Sequence, residues 1–428
     1  EKAIHYLHQA GERAVRLCAY GEGLAHLDAA LALLQTQPDS AERASRELAL
    51  HLSLGKACMA DRLGTRWQAI LGKARELCQR TGQAEELSQV FGEQATYHYV
   101  RAEYRTAIEL ATEALSLAEQ TGDLVLVALG HWRMGFILFA MGALVESQTH
   151  LHKILEYYRP DSVHTSFVQV HGVDAGVSAM AYEACCLWLL GYPQKALELR
   201  ERSMNLARTF AHVFSMADVM CYGGCFFDRL RGDATSLKKH AEELMRLSEG
   251  LATSFAGAGH CYRGDAVAQL GDLPTGIAQM RTGLATRRAK GSWCSASGMM
   301  GALAQALGKA GRVDEALLAM KEAFGFVESS GEMNWLAELH RLKGEILRTR
   351  GDESGAEDSL HQAVEVARNQ RTVSWELRAA LDLGRLWQTQ GKQDAARSLI
   401  TEIYGRFTEG FDTPDLKEAR ALLDQFPP

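Results

Sequence analysis

The chain has 428 residues, of which 47% are hydrophobic and 23% are charged, and its formal net charge is −7 at pH 7. This composition is typical of a globular protein and excludes low-complexity, collagen-like and highly charged disordered classes. Because general nucleic-acid binding depends on clustered Lys and Arg, a mildly acidic chain is a poor candidate for it. We therefore expect no nucleic-acid contact by this segment.

The cysteines and the apolar segments indicate where in the cell the protein is located. Nine cysteines are scattered along the chain, which favours reduced, buried thiols in a cytoplasmic protein. The longest apolar run, 134–145, is interrupted by Gly135 and Gly142 and is shorter than the ~20 residues that a membrane helix needs. We expect a cytoplasmic protein with no membrane contact. Since Glu1 already lies inside a helical pattern, we also expect the chain to be a piece of a longer protein.

In chain order, helical segments end at a regular interval. A period near 40 residues that is held over ten units is typical of a solenoid of stacked helical hairpins. The residues that mark the end of the first helix in each unit are spaced by 39 to 49 residues and are Cys18, Arg62, Ala102, Gly142, Gly191, Gly232, Gly271, Gly311, Gly351 and Gly391.

Small residues recur at fixed positions relative to these marks. Seven residues before each mark stands a small residue, as at Gly11, Gly264 and Gly344, and the position five residues after it is usually small as well. Glycine inside a helix costs about 1 kcal/mol relative to alanine, so a fixed small residue indicates two helices whose backbones cross closely. Strand-period alternation is almost absent, and we predict an all-α fold.

The spacing small–x6–glycine–x4–small–x6–small resembles the tetratricopeptide repeat (TPR), with a unit about six residues longer than the usual ~34. The resemblance implies a right-handed α-solenoid of about ten TPR-like helix-turn-helix repeats. We predict a single superhelical domain over 1–428, with an insertion at 157–180 and a C-terminal capping segment at 406–428.

Four sequence segments make the family resemblance more specific. They resemble the TPR region of a class of bacterial signalling proteins. In that class a class III adenylate/guanylate cyclase domain or a winged-helix domain comes first, an AAA-like (STAND-type) ATPase follows, and the TPR array comes last. The resemblance implies a sensor or docking arm, with the cyclase and ATPase chemistry upstream of these residues. The segments are KAIHYLHQAGERAVRLCAYGEGLAHLDAAL (2–31), HGVDAGVSAMAYEACCLWLLGYPQKAL (171–197), NWLAELHRLKGEIL (334–347) and RFTEGFDTPDLKEARALLDQF (406–426).

Catalytic and cofactor motifs are missing from the sequence. The Gly-Lys pairs lack the Ser or Thr that completes a phosphate-binding loop, and HExxH, GxSxG and CxxC do not occur. Cys221 and Cys225, with His260 and Cys261 on the first helix of the next hairpin, have the residue types of a zinc site. Core packing at a helix crossing is the simpler interpretation. We predict no enzymatic activity, cofactor or metal in this segment.

Two groups of residues are candidate contacts. The 157–180 insertion, interpreted as a loop on a rigid array, carries His164, His171 and Asp174, and loops of this kind often bind ligands. The alternative is that Asp174 only caps the following helix.

The second group lies on the first helix of each hairpin, which lines the concave side of such arrays, where aromatic and arginine side chains dominate binding. Core packing or a solvated face is the alternative for these residues. The expected partner is a protein or the chain's own upstream ATPase, and a small-molecule effector is the alternative. The candidates are Trp188, Arg263, Trp335, Glu338, Arg341 and Arg378.

Overall fold

The computed structural model describes residues 1–61, 64–249 and 255–426, and within these ranges the chain is helical with no strand. The first four hairpins are α1 (Lys2–Arg16) with α2 (Tyr20–Gln35), α3 (Ala41–Asp61) with α4 (Gly64–Thr81), α5 (Ala84–Val100) with α6 (Tyr104–Thr121), and α7 (Leu124–Ala140) with α8 (Leu144–Tyr157).

A single helix, α9 (Pro160–His171), follows before the hairpins resume. The sixth hairpin is irregular, because its first helix contains a π-helical segment. The elements are α10 (Ala175–Leu189) with α11 (Pro193–Phe210), then α12 (Val213–Val219), a π-helix (Met220–Phe226) and α13 (Phe227–Arg231) with α14 (Ala234–Ser248).

Four regular hairpins and a terminal helix complete the chain. These are α15 (Phe255–Gln269) with α16 (Leu273–Ala289), α17 (Ala296–Lys309) with α18 (Val313–Ser330), α19 (Leu336–Arg350) with α20 (Glu353–Asn369), α21 (Val373–Thr389) with α22 (Gln393–Tyr404), and α23 (Pro414–Leu423).

The turns inside the hairpins fall at the predicted marks. Nine of the ten marked residues have a positive φ, the left-handed conformation that ends a helix, and Arg62 lies outside the described residues. Seven of the nine are glycines, while Cys18 and Ala102 adopt the same conformation at φ of 59° and 60°. The ten-unit, all-helical prediction is therefore confirmed.

The two helices of a hairpin differ in burial. The first helix is enclosed by its neighbours; in α10, for example, every residue except Leu187 is buried. The second helix keeps an exposed face, as the pattern of α18 shows. We call these the inner and outer helices. Their shared core is nearly continuous, since one hydrophobic cluster extends from Ile4 to Trp375.

The small residues permit the predicted close crossings. A Cβ atom added to Gly264 of α15 would lie 2.7 Å from the carbonyl oxygen of Gly276 in α16, and one added to Gly276 would lie 2.5 Å from that of Gly264. Any side chain at either position would force the two backbones apart. Glycine at this crossing is therefore required by geometry.

Distant hairpins are also joined directly. The Val100 carbonyl oxygen, at the end of α5, accepts hydrogen bonds from the backbone N–H groups of Trp293 (2.8 Å) and Cys294 (3.2 Å). The Ala140 carbonyl oxygen, at the end of α7, accepts from Met333 (2.8 Å) and Asn334 (3.2 Å). The pairs 100–293 and 140–333 share a separation of 193 residues, about five units. Successive turns of the superhelix therefore touch. The concave side is largely packed and carries separate pockets in place of one long open groove.

The 157–180 stretch is not the predicted loop. Its residues form α9 and the beginning of α10, joined by a short turn in which Gly172 has φ 84°. Asp174 caps α10, because its Oδ1 accepts hydrogen bonds from the N–H groups of Gly176 (2.8 Å) and Val177 (3.2 Å). Helix α9 adds one extra element to the array, which explains the longer interval in the sequence.

The C-terminal segment packs back on the middle of the chain. Glu409 Oε1 accepts hydrogen bonds from the N–H groups of Gln194 (3.0 Å) and Lys195 (3.1 Å), at the start of α11. Leu416 and Leu422 of α23 are buried. In the ranges that the structure describes, none of the helices combines the length and apolar character needed to cross a membrane.

Candidate ligand pockets on the inner face

Four of the sequence-predicted residues meet at one pocket of about 290 Å³, which we call the polar pocket. Trp335, Glu338 and Arg341 reach it from α19, and Arg378 reaches it from α21. The remaining walls come from inner helices of neighbouring units and from α23. The other lining residues are Arg229, Arg231, Gly232, Gln269, Gln305, Lys309, Trp375, Leu381, Asp382, Arg385, Pro414, Asp415 and Glu418.

Ion pairs fix several of these side chains. The Arg341 guanidinium donates to both carboxylate oxygens of Glu338, at 2.7 Å each, and to Asp382 Oδ2 at 2.6 Å. Burial lowers the pKa of Arg341, but Glu338 and Asp382 more than offset this effect and hold it well above its usual value. Arg378 donates from Nε to Asp415 Oδ2 at 2.7 Å, which attaches α23 to α21. The pocket is therefore a rigid, charged site.

Two indoles, packed with their planes tilted by 47°, form the floor of the polar pocket. The ring centroids of Trp335 and Trp375 are 5.4 Å apart. The Arg229 guanidinium lies 4.7 Å from the Trp335 ring, and that of Arg378 lies 5.1 Å from the Trp375 ring. Within the described residues, the buried Nε1 atoms of both tryptophans and Nε of Arg229 have no hydrogen-bond acceptor. Because buried donors are normally paired, this floor has unused capacity for a ligand's acceptor atoms.

The sequence does not single out Arg229, whereas Trp375 is one of the tryptophans that the repeat register places near the inner helices. Trp375 follows Trp335 by one repeat length of 40 residues, so the period itself was a usable signal. Arg229 had no such signal, because it stands behind the irregular π-helical segment. Only the three-dimensional stacking brings it over the Trp335 ring.

A second, smaller cavity of about 60 Å³ lies among inner helices of the N-terminal and central units, and we call it the aromatic pocket. Three of its rings carry hydroxyls that meet: Tyr99 Oη is 3.2 Å from both Tyr182 Oη and Tyr222 Oη. The remaining lining residues are Thr96, Val100, Trp132, Phe136, His171, Val173, Phe214, Asp218, Cys221, Phe255, Arg287 and Cys294.

His171 belongs to a buried ionic cluster beside the aromatic pocket. Its Nδ1 lies 2.5 Å from Glu93 Oε1 and 2.9 Å from a terminal nitrogen of Arg133. Burial lowers the pKa of His171, and Arg133 lowers it further against the opposing effect of Glu93. Burial raises the pKa of Glu93, but His171 and Arg133 outweigh it and the net pKa is lowered. The cluster therefore places the Glu93 carboxylate between the Arg133 guanidinium and the His171 imidazole in the protein core.

The other predicted contacts are dispersed. Asp174 is fully buried in its capping role, and its Oδ2 also accepts a 2.8 Å hydrogen bond from the Tyr158 hydroxyl. Trp188 packs against Phe227, with ring centroids 5.4 Å apart, and Arg263 pairs with Glu242 at 3.1 Å. The side chain of His164 lies outside the described residues. The structure thus brings four candidates to the polar pocket and one, His171, to the aromatic pocket.

The cysteines considered for zinc are core residues. Cys221 and Cys225 lie in the π-helix and Cys261 lies in α15, and all three are buried. Across residues 1–61, 64–249 and 255–426, no group of three or more His, Cys, Asp or Glu side chains is arranged to hold a metal ion.

Comparisons with known proteins find one sequence relative and several similar structures, while no family model matches the chain. An uncharacterized protein of Rhizobium meliloti (strain 1021) is 26% identical over 250 residues, which are 56% of this chain and 24% of that protein. The match therefore spans about a quarter of the length of this relative.

Two solved structures illustrate the structural similarity. A STAND protein with a tetratricopeptide repeat sensor from Pyrococcus horikoshii has a TM-score of 0.46 at 10% identity, covering 88% of this chain and 55% of that one. A Rap protein complexed with competence and sporulation factor has a TM-score of 0.45 at 13% identity, covering 92% and 99%. The helical-repeat architecture itself is seen directly in the ten hairpins of the chain.

Proposed function

We propose that this chain is a non-catalytic interaction and regulatory module of a cytoplasmic bacterial signalling ATPase, and that it binds a protein partner at the polar pocket. The partner is either a separate protein or the ATPase domain of the same polypeptide. The observation that carries the proposal is the convergence of Trp335, Glu338, Arg341 and Arg378 on one pocket with unused hydrogen-bond donors.

One cation of the pocket favours an acidic partner segment. The walls carry six cationic side chains against four acidic ones, and two further acids, Asp265 and Asp233, pair with Arg229 and Arg231. Most of the cations are held by ion pairs, but Lys309 is exposed. A partner carboxylate that meets Lys309 and the buried donors would gain charge-assisted hydrogen bonds at a preformed site.

The size of the pocket limits what enters it. A volume of about 290 Å³ accepts a few side chains or a chain terminus rather than a whole helix. Since successive superhelical turns touch, the rest of the partner would rest on the rim. We therefore propose anchoring by one or two acidic side chains.

A pull-down from host lysate with the purified chain as bait, read by mass spectrometry, tests this proposal. The ATPase domain of the full-length protein is added as a defined prey. Lys309→Glu reverses the charge of an exposed pocket side chain, and Lys321→Glu makes the same change on the outer helix α18. We expect specific prey that is lost with Lys309→Glu and retained with Lys321→Glu. Prey that both variants retain equally would contradict binding at the polar pocket.

The alternative function is a sensor of a small-molecule effector. The aromatic pocket favours it, because this cavity is small and combines aromatic walls with the polar side chains of His171, Asp218 and Arg287. In that case an effector inside the array would control the upstream ATPase. The two functions use different pockets and are compatible in one module.

A further inference from the structure

Arg287 of α16 lines the aromatic pocket as a buried cation without a carboxylate partner. The residue is 4% exposed, and its guanidinium donates hydrogen bonds to the backbone oxygen and, at 3.6 Å, to the thiol of Cys294. Within the described part of the chain it forms no salt bridge, and its Nε has no acceptor. Removing a charge from water without a counter-ion is costly, so this position calls for an anion.

Other deeply buried arginines of the described core do have such partners. Arg133 pairs with Glu93 at 3.2 Å, and Arg200 pairs with Asp228 at 3.0 Å. The nearby acid Asp218 accepts a 2.6 Å hydrogen bond from the Ser178 hydroxyl. Among the described residues, Arg287 thus differs from Arg133 and Arg200 in having no carboxylate partner.

The surroundings of Arg287 are apolar and aromatic. Seven aromatic rings line the cavity, and two of them, Tyr182 and Tyr222, pack against each other with ring centroids 4.2 Å apart. His171 adds a buried Nε2 with no hydrogen-bond partner in the described residues. A ligand that fits must therefore present an anionic group at one end and a small apolar or weakly polar body at the other.

The wall of the cavity contains an unusual backbone segment. Cys221 and Tyr222 are presented by the π-helix Met220–Phe226, a conformation that is rare and recurs at functional sites. This segment interrupts an inner helix that is regular in most other units. The π-helix thus places the Tyr222 ring and the Cys221 thiol in the pocket wall. A regular α-helix would direct these side chains elsewhere.

We propose that the aromatic pocket binds a small monocarboxylate, with its carboxylate on Arg287 and its carbon chain against the aromatic rings. A water-sized group needs about 10–15 Å³ of such space, so a cavity of about 60 Å³ takes a ligand of about four to six non-hydrogen atoms. Acetate and propionate have this size. An α-hydroxyl or α-amino group on the ligand would find an acceptor at His171 Nε2.

This inference gives chemical content to the effector-sensor alternative and is independent of protein binding at the polar pocket. Its test can therefore fail while the partner proposal stands, and the reverse also holds. Lys309→Glu, which alters the polar pocket, should leave carboxylate binding unchanged.

Titration of the purified chain with propionate, followed by tyrosine fluorescence and calorimetry, tests the inference. Propionamide has the same shape without the charge and serves as the ligand control. Arg287→Gln removes the guanidinium, and Arg288→Gln makes the same change on the neighbouring exposed residue. Acetate, lactate and alanine extend the panel and show whether an α-substituent strengthens binding.

We expect saturable binding of at least one small carboxylate, no binding of propionamide, and affinity at least tenfold weaker in Arg287→Gln than in Arg288→Gln. Absence of saturable binding across the panel, or equal binding of propionate and propionamide to the unmodified chain, would overturn the inference. The amide comparison requires no variant, so the test stands even if Arg287→Gln does not fold.

Discussion

The backbone N–H of Trp293 donates a 2.8 Å hydrogen bond to the carbonyl oxygen of Val100, at the end of an inner helix five units earlier. This bond and its equivalent between Met333 and Ala140 hold one superhelical turn against the next. The array is therefore more than a sum of neighbouring repeats, because contacts between distant units also stabilise it. The same closure divides the inner face into discrete pockets.

Closure of the superhelix is tested by Tyr104→Phe. The Tyr104 hydroxyl donates a 2.6 Å hydrogen bond to the buried Glu332, whose carboxylate also accepts from the backbone N–H groups of Ser295 and Ser297. Removing this donor should cost about 1–2 kcal/mol and lower the melting temperature. Tyr192→Phe, at an exposed tyrosine, is the control and should melt like the unmodified chain. Equal melting of both variants would show that this bond does not stabilise the closure.

The close crossing of α15 and α16 is tested by Gly264→Ala. The added Cβ would lie 2.7 Å from the Gly276 carbonyl oxygen, so we expect a loss of about 1–3 kcal/mol. Gly325→Ala is the matched control, because a Cβ at this helical glycine meets no atom within 4 Å. That change should stabilise the chain by about 0.5–1 kcal/mol. Opposite shifts in melting temperature are the predicted result, and shifts of the same sign would contradict it.

The buried cluster around Arg133 is tested by Glu93→Gln. Loss of the carboxylate leaves Arg133 without its 3.2 Å ion pair in the core, which should cost about 3–5 kcal/mol. Glu315→Gln removes an exposed partner of Arg312 and Arg281 and should leave stability nearly unchanged, because solvent screens such pairs. Chemical denaturation of both variants provides the measurement. Similar small effects at the two sites would indicate that the cluster contributes little.

The buried His131 and the half-buried His340 predict a loss of stability in acid. Burial and the nearby His150 and Lys153 lower the pKa of His131 to about 4, and burial and Lys343 lower that of His340 to about 4. In the unfolded chain a histidine has a pKa near 6.5, so between about pH 6.5 and pH 4 the unfolded chain binds more protons than the folded chain. Stability therefore falls as the pH decreases through this window. His340→Gln should reduce the decrease in melting temperature between pH 7 and pH 5. An unchanged pH dependence would exclude His340 as a contributor.

The sequence predicts much of the helical framework. Nine turn marks adopt the left-handed conformation, and the small residues mark real helix crossings, because both are local consequences of hairpin geometry. The contact between Val100 and Trp293 could not be predicted, since it depends on the small rotation per repeat accumulated over 193 residues. The sequence predicts a loop over 157–180 because this stretch breaks the 40-residue period, whereas the structure fills part of it with the helix α9.

The candidate site was predictable only in part. Placing Trp335, Glu338, Arg341 and Arg378 on inner helices followed from the repeat register, and the structure brings them to one pocket. The aromatic pocket was not foreseen, because Arg287 stands on an outer helix and looks in sequence like one of a pair of surface arginines. Its burial follows from Gly257 and Gly283, which allow α16 to approach α15 closely.

The dissociation constant between this chain and its proposed partner, either an ATPase domain of the same polypeptide or another captured protein, tests the central claim most directly. It should be measured at about 0.15 M salt for the unmodified chain, Lys309→Glu and Lys321→Glu. If an acidic segment docks in the polar pocket, Lys309→Glu should weaken binding at least tenfold, more so at low salt, and Lys321→Glu should not. Equal dissociation constants for all three proteins would show that the partner binds elsewhere.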